Sequence, residues 1–76
     1  MYWFDFSKLR ELRKDNHLTQ KAAGKLVGCT GPTVGRWERG EISITVDDLV
    51  KIADIYKVND FSIFFAERLS TIKNLE

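Results

Sequence analysis

One cysteine and one proline are all that this chain of 76 residues carries of either type. The single thiol, Cys29, excludes an internal disulfide, and with a single histidine, His17, it gives no spaced set of metal ligands. No apolar run approaches the ~20 residues that a membrane-spanning helix needs. Met1 leads into Tyr-Trp-Phe-Asp-Phe rather than a basic stretch with a long apolar one behind it, so no signal peptide is read. The expectation is a cytoplasmic protein in a reducing compartment. Charge of one sign is also missing: 12 lysines and arginines against 11 acidic residues leave a net +1. A nucleic-acid role would therefore need basic residues gathered on one face. Without a spaced acid–base or metal set, an enzyme is the least supported class, and no cofactor or metal is expected.

What remains is a small domain, read as one unit over residues 1–76, that buries only roughly 60–65% of its unfolded surface. Proline is confined to Pro32, and the glycines fall within residues 24–40. That pattern suggests helices with short joints. No segment alternates apolar and polar residues between turn signals, so no hairpin is expected.

Helical spacing marks five stretches. The first runs from about Phe6 to Asp15, with Asp5 as cap, Asn16-His17 at its end, and Phe6, Leu9, Leu12 and Arg13 on one face. The second starts on Thr19, turns Ala23, Leu26 and Val27 inward, and stops at Gly28. The third is capped by Thr30 and carries Pro32 in its first turn, where a missing N–H costs little. The fourth starts on Thr45-Val-Asp-Asp, which resembles a capping box, and buries Leu49, Ile52, Ala53 and Tyr56. The fifth runs from about Asp60 to Ile72, with Phe61, Phe64, Phe65, Arg68 and Ile72 in helical spacing. The second and third are short and joined around Gly28, which is a helix-turn-helix arrangement.

The stretch LTQKAAGKLVGCTGPTVGRWERG, Leu18 to Gly40, resembles the helix-turn-helix of Cro- and lambda-repressor-like proteins, the XRE family. Leu18-Thr19-Gln20 matches the opening of that family's second helix, Gly28 its turn glycine, Val34 the buried aliphatic of its third helix and Trp37-Glu38-Arg39-Gly40 its ending. TVDDLVKIADIYKVN, Thr45 to Asn59, matches its fourth helix. The resemblance implies an all-α, five-helix fold, with the helix-turn-helix at about 19–39 and a recognition helix at about 31–39 that lies in the major groove of double-stranded DNA. There are departures. Gly24 stands where relatives usually carry alanine, Gly31 and Pro32 where they place base-reading side chains, and Gly35 where they carry a polar residue. Glu41-Ile-Ser-Ile replaces the lysine or arginine that often follows. These imply fewer base and phosphate contacts, hence broader or weaker specificity.

On that reading Arg36 is the first candidate base reader, because a guanidinium can bond guanine O6 and N7 bidentately. Thr33, Pro32 and Gly31 are further base-side candidates, although Pro32 also serves simply to set the helix start. Gln20, Thr19, Lys21 and Arg39 are phosphate-contact candidates. In relatives an arginine at the place of Arg13 pairs with the glutamate at the place of Glu38, which implies a structural pair tying the first helix to the third. Trp37 reads as core rather than as a stacking platform, and Cys29 as a small buried hydrophobe.

The two ends are rich in aromatics: Tyr2, Trp3, Phe4 and Phe6 at one, Phe61, Phe64 and Phe65 at the other. They either close the core on each other or leave an exposed homodimer seam. The main expectation is a sequence-selective DNA-binding regulator, a repressor acting as a homodimer. The rivals are the antitoxin of a toxin–antitoxin pair, with the aromatic ends as toxin surface, and an interaction module that has lost DNA binding. The terminal Leu75-Glu76 reads either as native or as a cloning scar.

Overall fold

The computed structural model describes residues 2–67. Within them lie four α-helices: α1 Ser7–Asp15, α2 Gln20–Val27, α3 Gly31–Glu38 and α4 Val46–Ile55. A short strand, β1 Tyr2–Phe4, precedes them. A 3₁₀ turn, Phe61–Phe64, and a second strand, β2 Phe65–Glu67, follow.

The helix starts are where the threonines put them. Thr19 Oγ1 accepts the Ala22 N–H at 3.0 Å, Thr30 Oγ1 accepts the Thr33 N–H at 3.4 Å, and Thr45 Oγ1 accepts the Asp48 N–H at 3.1 Å. Each satisfies one of the backbone donors that a first helical turn leaves without a carbonyl. At α1 the cap residue is Phe6, which has no side-chain acceptor; Asp5 Oδ1 takes the Ser7 N–H instead, at 3.2 Å. The end of α1 is tied to the end of α4, because Asn16 Nδ2 donates to the carbonyls of Leu12 (2.8 Å) and Tyr56 (3.1 Å). Gly28 ends α2 at φ +98°, a left-handed conformation that costs glycine little.

Leu9 from α1, Ala23 and Val27 from α2, Val34 and Trp37 from α3, and Leu49, Ile52, Ala53 and Tyr56 from α4 form one core, and Phe64 of the 3₁₀ turn closes it with no exposed surface. Two residues expected inward are not. Leu26 is 59% exposed, since an eight-residue helix packed through Ala23 and Val27 has too narrow an apolar stripe to reach it. Phe6 is 39% exposed and lies over Gly40, where a Cβ would come within 2.7 Å of its ring. Cys29 is half-buried rather than buried, with its thiol directed at the Thr30 carbonyl at 3.7 Å.

The chain ends differ most from expectation. In place of a fifth helix over 60–72, Asp60 Oδ1 accepts the Ser62 N–H at 3.0 Å and opens a single 3₁₀ turn. The chain then becomes extended and pairs antiparallel with β1, Tyr2 opposite Glu67, Trp3 opposite Ala66 and Phe4 opposite Phe65. Residues 68–72, with the expected Arg68 and Ile72, lie outside the described residues. The aromatic-rich run Phe-Ser-Ile-Phe-Phe suits a strand as well as a helix. The tertiary partner decides: Phe4 stacks on Phe64 (centroids 6.0 Å apart) and meets Phe65 edge-on (5.8 Å), while the Asp5 N–H donates to the Phe64 carbonyl at 2.6 Å. The two strands form no hairpin, and the fold remains all-α apart from this short pair, which the sequence does not reveal because alternation cannot be read in segments of three residues.

The joint between α2 and α3 is tight. A Cβ on Gly24 would sit 2.6 Å from the carbonyl carbon of Thr30 and 2.8 Å from its oxygen, both backbone atoms that cannot yield without moving the turn. Gly24→Ala is therefore expected to lower stability by about 1–3 kcal/mol despite alanine's better helix propensity, checked by chemical denaturation.

Tyr56 is 2% exposed, and its hydroxyl has no hydrogen-bond partner among the described residues. Burial first, then the nearby Glu38 charge, push its pKa up to about 12. The folded state thus holds this proton more tightly than the unfolded chain does. The associated stability is full below about pH 10 and is lost as pH rises through about 12. Tyr56→Phe should be as stable as wild type at pH 7, or about 1 kcal/mol more so. It should also lose less stability between pH 10 and 12, as measured by denaturation at each pH.

Candidate nucleic-acid interface

The site is built outward from α3. Its inner stripe, Val34 and Trp37, is buried; Pro32 and Arg36, one turn apart, are exposed on the outer side. Thr33 is half-buried, and its hydroxyl shares a hydrogen bond with that of Thr30 at 3.1 Å. Gly31 lies close against α2, since a Cβ there would be 3.2 Å from the backbone N and Cα of Lys21. The start of α3 therefore presents mostly backbone and the proline ring.

Glu38, at the end of α3, organises what surrounds the helix. Arg13 Nε donates to Glu38 Oε2 at 2.6 Å and Arg13 Nη2 to Oε1 at 3.1 Å, a bidentate pair whose side chains are 9% and 3% exposed. Arg13 Nη1 donates to the Leu18 carbonyl at 2.8 Å, so the guanidinium bridges α1, the loop before α2 and α3. The hydrogen bond to Glu38 is the main reason that the Arg13 pKa is raised. Gln20 joins the same carboxylate: its Nε2 donates to Glu38 Oε1 at 3.2 Å. The pairing of Gln20 with Glu38 is not legible in the sequence; the two are 18 residues apart, and only the turn that packs α2 on α3 brings them together.

Basic residues gather around this frame. Lys21 and Lys25 lie four apart on α2 and, with Cys29, Thr30, Gly31 and Pro32, line one concavity beside the start of α3. Lys25 is the one basic residue here that the family pattern does not mark; its four-residue spacing from Lys21 is the signal in the sequence. Thr19 is exposed, and its Oγ1 serves as the α2 cap. Arg39 follows α3 on the surface and pairs through Nε with Glu41. That hydrogen bond raises the Arg39 pKa and lowers that of Glu41; Arg36 lowers the latter further. Net charge is thus a poor guide to the surroundings of α3: Lys21 and Lys25 lie beside its start, Arg36 is exposed on it, and Arg39 follows it with part of its charge offset by Glu41. Among the described residues no group of three or more histidine, cysteine or acidic side chains is arranged to hold a metal ion, and no helix is long and apolar enough to cross a membrane.

A short second helix, a glycine turn and a third helix with an exposed arginine on its outer face define a helix-turn-helix DNA-binding protein. A helix-turn-helix family model matches residues 9–60, and the chain belongs to that family, the Cro/C1-type regulators. Searches among curated proteins and among solved structures gave no match. Family membership makes this a DNA-binding transcriptional regulator.

The Arg13–Glu38 pair should couple strongly. Arg13→Ala or Glu38→Ala leaves the other charge buried, and each is expected to cost about 3–5 kcal/mol. The double variant should cost clearly less than the two losses added together, and thermal melts of all four proteins measure the difference. Strict additivity would show that the pair does not act as a unit.

Proposed function

We propose that the protein is a sequence-selective repressor that sets α3 into the major groove and grips the flanking backbone with the start of α2 and the residues after α3. The observation that supports this best is the placement of Arg36. It is exposed on the side of α3 opposite Val34 and Trp37, on a helix whose inner end is anchored by the buried Glu38. An anchored helix holds such a guanidinium at a fixed depth, as bidentate recognition of guanine requires. Thr33 is the second candidate base contact, limited by its bond to Thr30. Pro32 and Gly31 offer ring and backbone contact only. Gln20, Thr19, Lys21 and Arg39 are the phosphate side, joined by Lys25.

The repressor reading includes a homodimer on a two-fold operator, with half-sites about one helical turn apart. A groove of about 360 Å³ supports it, lined among others by Phe6, Trp37, Ile42, Val46 and Phe65. Val46 is 75% exposed there, beside the part-exposed Ile42, Phe6 and Phe65, so the groove offers a contiguous apolar surface to a partner. The same groove favours the second reading, an antitoxin that holds a protein partner on this side.

Selection of bound duplexes from a random DNA pool, with wild type and Arg36→Ala in parallel at a stated salt concentration, tests the proposal. Wild type should enrich a palindromic motif. Arg36→Ala should lose preference at a guanine position, a discrimination of about 1–3 kcal/mol. No enrichment by wild type would overturn sequence-selective repression. A small protein co-purifying with the chain would then point to the antitoxin reading.

A further inference from the structure

Gly35 sits in the middle of α3, where glycine lowers helix propensity, yet it is buried. What covers it is polar. A Cβ at this position would lie 3.0 Å from Arg39 Nη1, 3.2 Å from Gln20 Nε2 and 3.3 Å from Gln20 Oε1. Two side chains from different elements, α2 and the residue after α3, thus converge on the one place in the interior of the helix that has no side chain. Each is already oriented from behind. Gln20 Nε2 spends one proton on Glu38, which leaves its second directed elsewhere. Arg39 spends Nε on Glu41 and brings Nη1 over the glycine.

We infer that Gln20 and Arg39 bind one and the same DNA phosphate, side by side over Gly35, and that Gly35 is the positioning residue that makes room for them. This rests on the DNA-binding reading above. Both donors lie 3.0–3.2 Å from the place a Gly35 Cβ would take, so they are near neighbours over the glycine, close enough for the separate oxygens of one phosphate to accept from each. A neutral amide and a guanidinium divide the work: Arg39 carries the charge, and Gln20, fixed by Glu38, sets the register of the phosphate against α3. A side chain at position 35 would occupy the space they share. Its Cβ would not strain the backbone, because the nearest atoms it meets are the ends of flexible side chains.

This separates stability from binding in a way that a structural glycine would not. Gly35→Ala and Gly35→Leu both raise helix propensity. Gly35→Ala should melt at or above the wild-type temperature and Gly35→Leu should remain folded, while DNA affinity falls, more for leucine than for alanine, and falls alike on all sequences. The decisive readout is salt dependence, measured by fluorescence anisotropy with a labelled duplex between 50 and 200 mM salt. Losing one phosphate contact makes the slope of log K against log salt shallower by about 0.9, so the advantage of wild type over Gly35→Leu should shrink by about 3.5-fold across that range. In an Arg39→Ala background Gly35→Leu should have a clearly smaller effect, since only Gln20 is left for it to displace. A wild-type slope in Gly35→Leu, or an undiminished effect of leucine in the Arg39→Ala background, would overturn the shared-phosphate site and leave the DNA-binding reading intact. A wild type that binds no duplex with any salt dependence would overturn both.

Discussion

One carboxylate holds this small fold in the geometry that its function needs. Glu38 is at the last turn of α3, and it accepts from Arg13 of α1 twice and from Gln20 of α2 once. A buried ion pair is a poor source of net stability, because desolvating both charges offsets most of their attraction. Its value here is directional. Apolar contacts through Val34 and Trp37 permit α3 to roll or slide by small amounts, whereas a bidentate fork fixes both distance and angle. Arginine is required for this: a lysine has no second parallel donor, and could not also reach the Leu18 carbonyl through a third nitrogen.

That constraint explains how so bare a helix can serve. α3 has eight residues, two of them glycine and one proline. Its propensity is low and its apolar stripe is short, so on its own it would not persist. The cap from Thr30 and the Glu38 anchor hold its two ends, and Val34 and Trp37 hold its middle. With the ends fixed from outside the helix, the outer face is relieved of any structural duty. Gly24 contributes on the other side of the turn, where the α2 backbone comes too close to Thr30 for any Cβ. The glycines at 24 and 35 look alike in the sequence and do opposite things. One meets rigid backbone, the other meets mobile side-chain ends.

Much of this was legible in the sequence, for reasons that can be named. Thr19, Thr30 and Thr45 are local signals, and a cap depends on atoms three residues away, so each start was placed correctly. Gly28 is local in the same sense. The α2–α3 pattern and its place in the family rest on spacing within one stretch, and the family model covers that stretch. Long-range pairings were not legible from spacing. Gln20 reaches Glu38 across 18 residues, and β1 meets β2 from opposite ends of the described chain. The run at 61–65 satisfied a helical period and a strand composition at once, and Phe4, distant in sequence, decided between them. Leu26 failed for a different reason: a helix of eight residues is only about two turns long, and periodicity cannot tell the centre of so short a face from its margin.

The distribution of charge completes the argument. A net charge of +1 gives the molecule little long-range attraction for DNA. Any affinity must then come from contacts made at close range, by few residues held in place. The surface around α3 is organised accordingly. Gln20 is held by Glu38 and Arg39 by Glu41, so two of the groups nearest the middle of the helix have acidic partners inside the protein. Those partners reduce the bulk positive potential while they restrict side-chain motion. The exchange lowers steering and nonspecific attraction, both of which scale with free positive charge, and it lowers the entropy lost when a contact forms. A protein with few basic residues to spare gains more from fixing them than from adding to the field they produce.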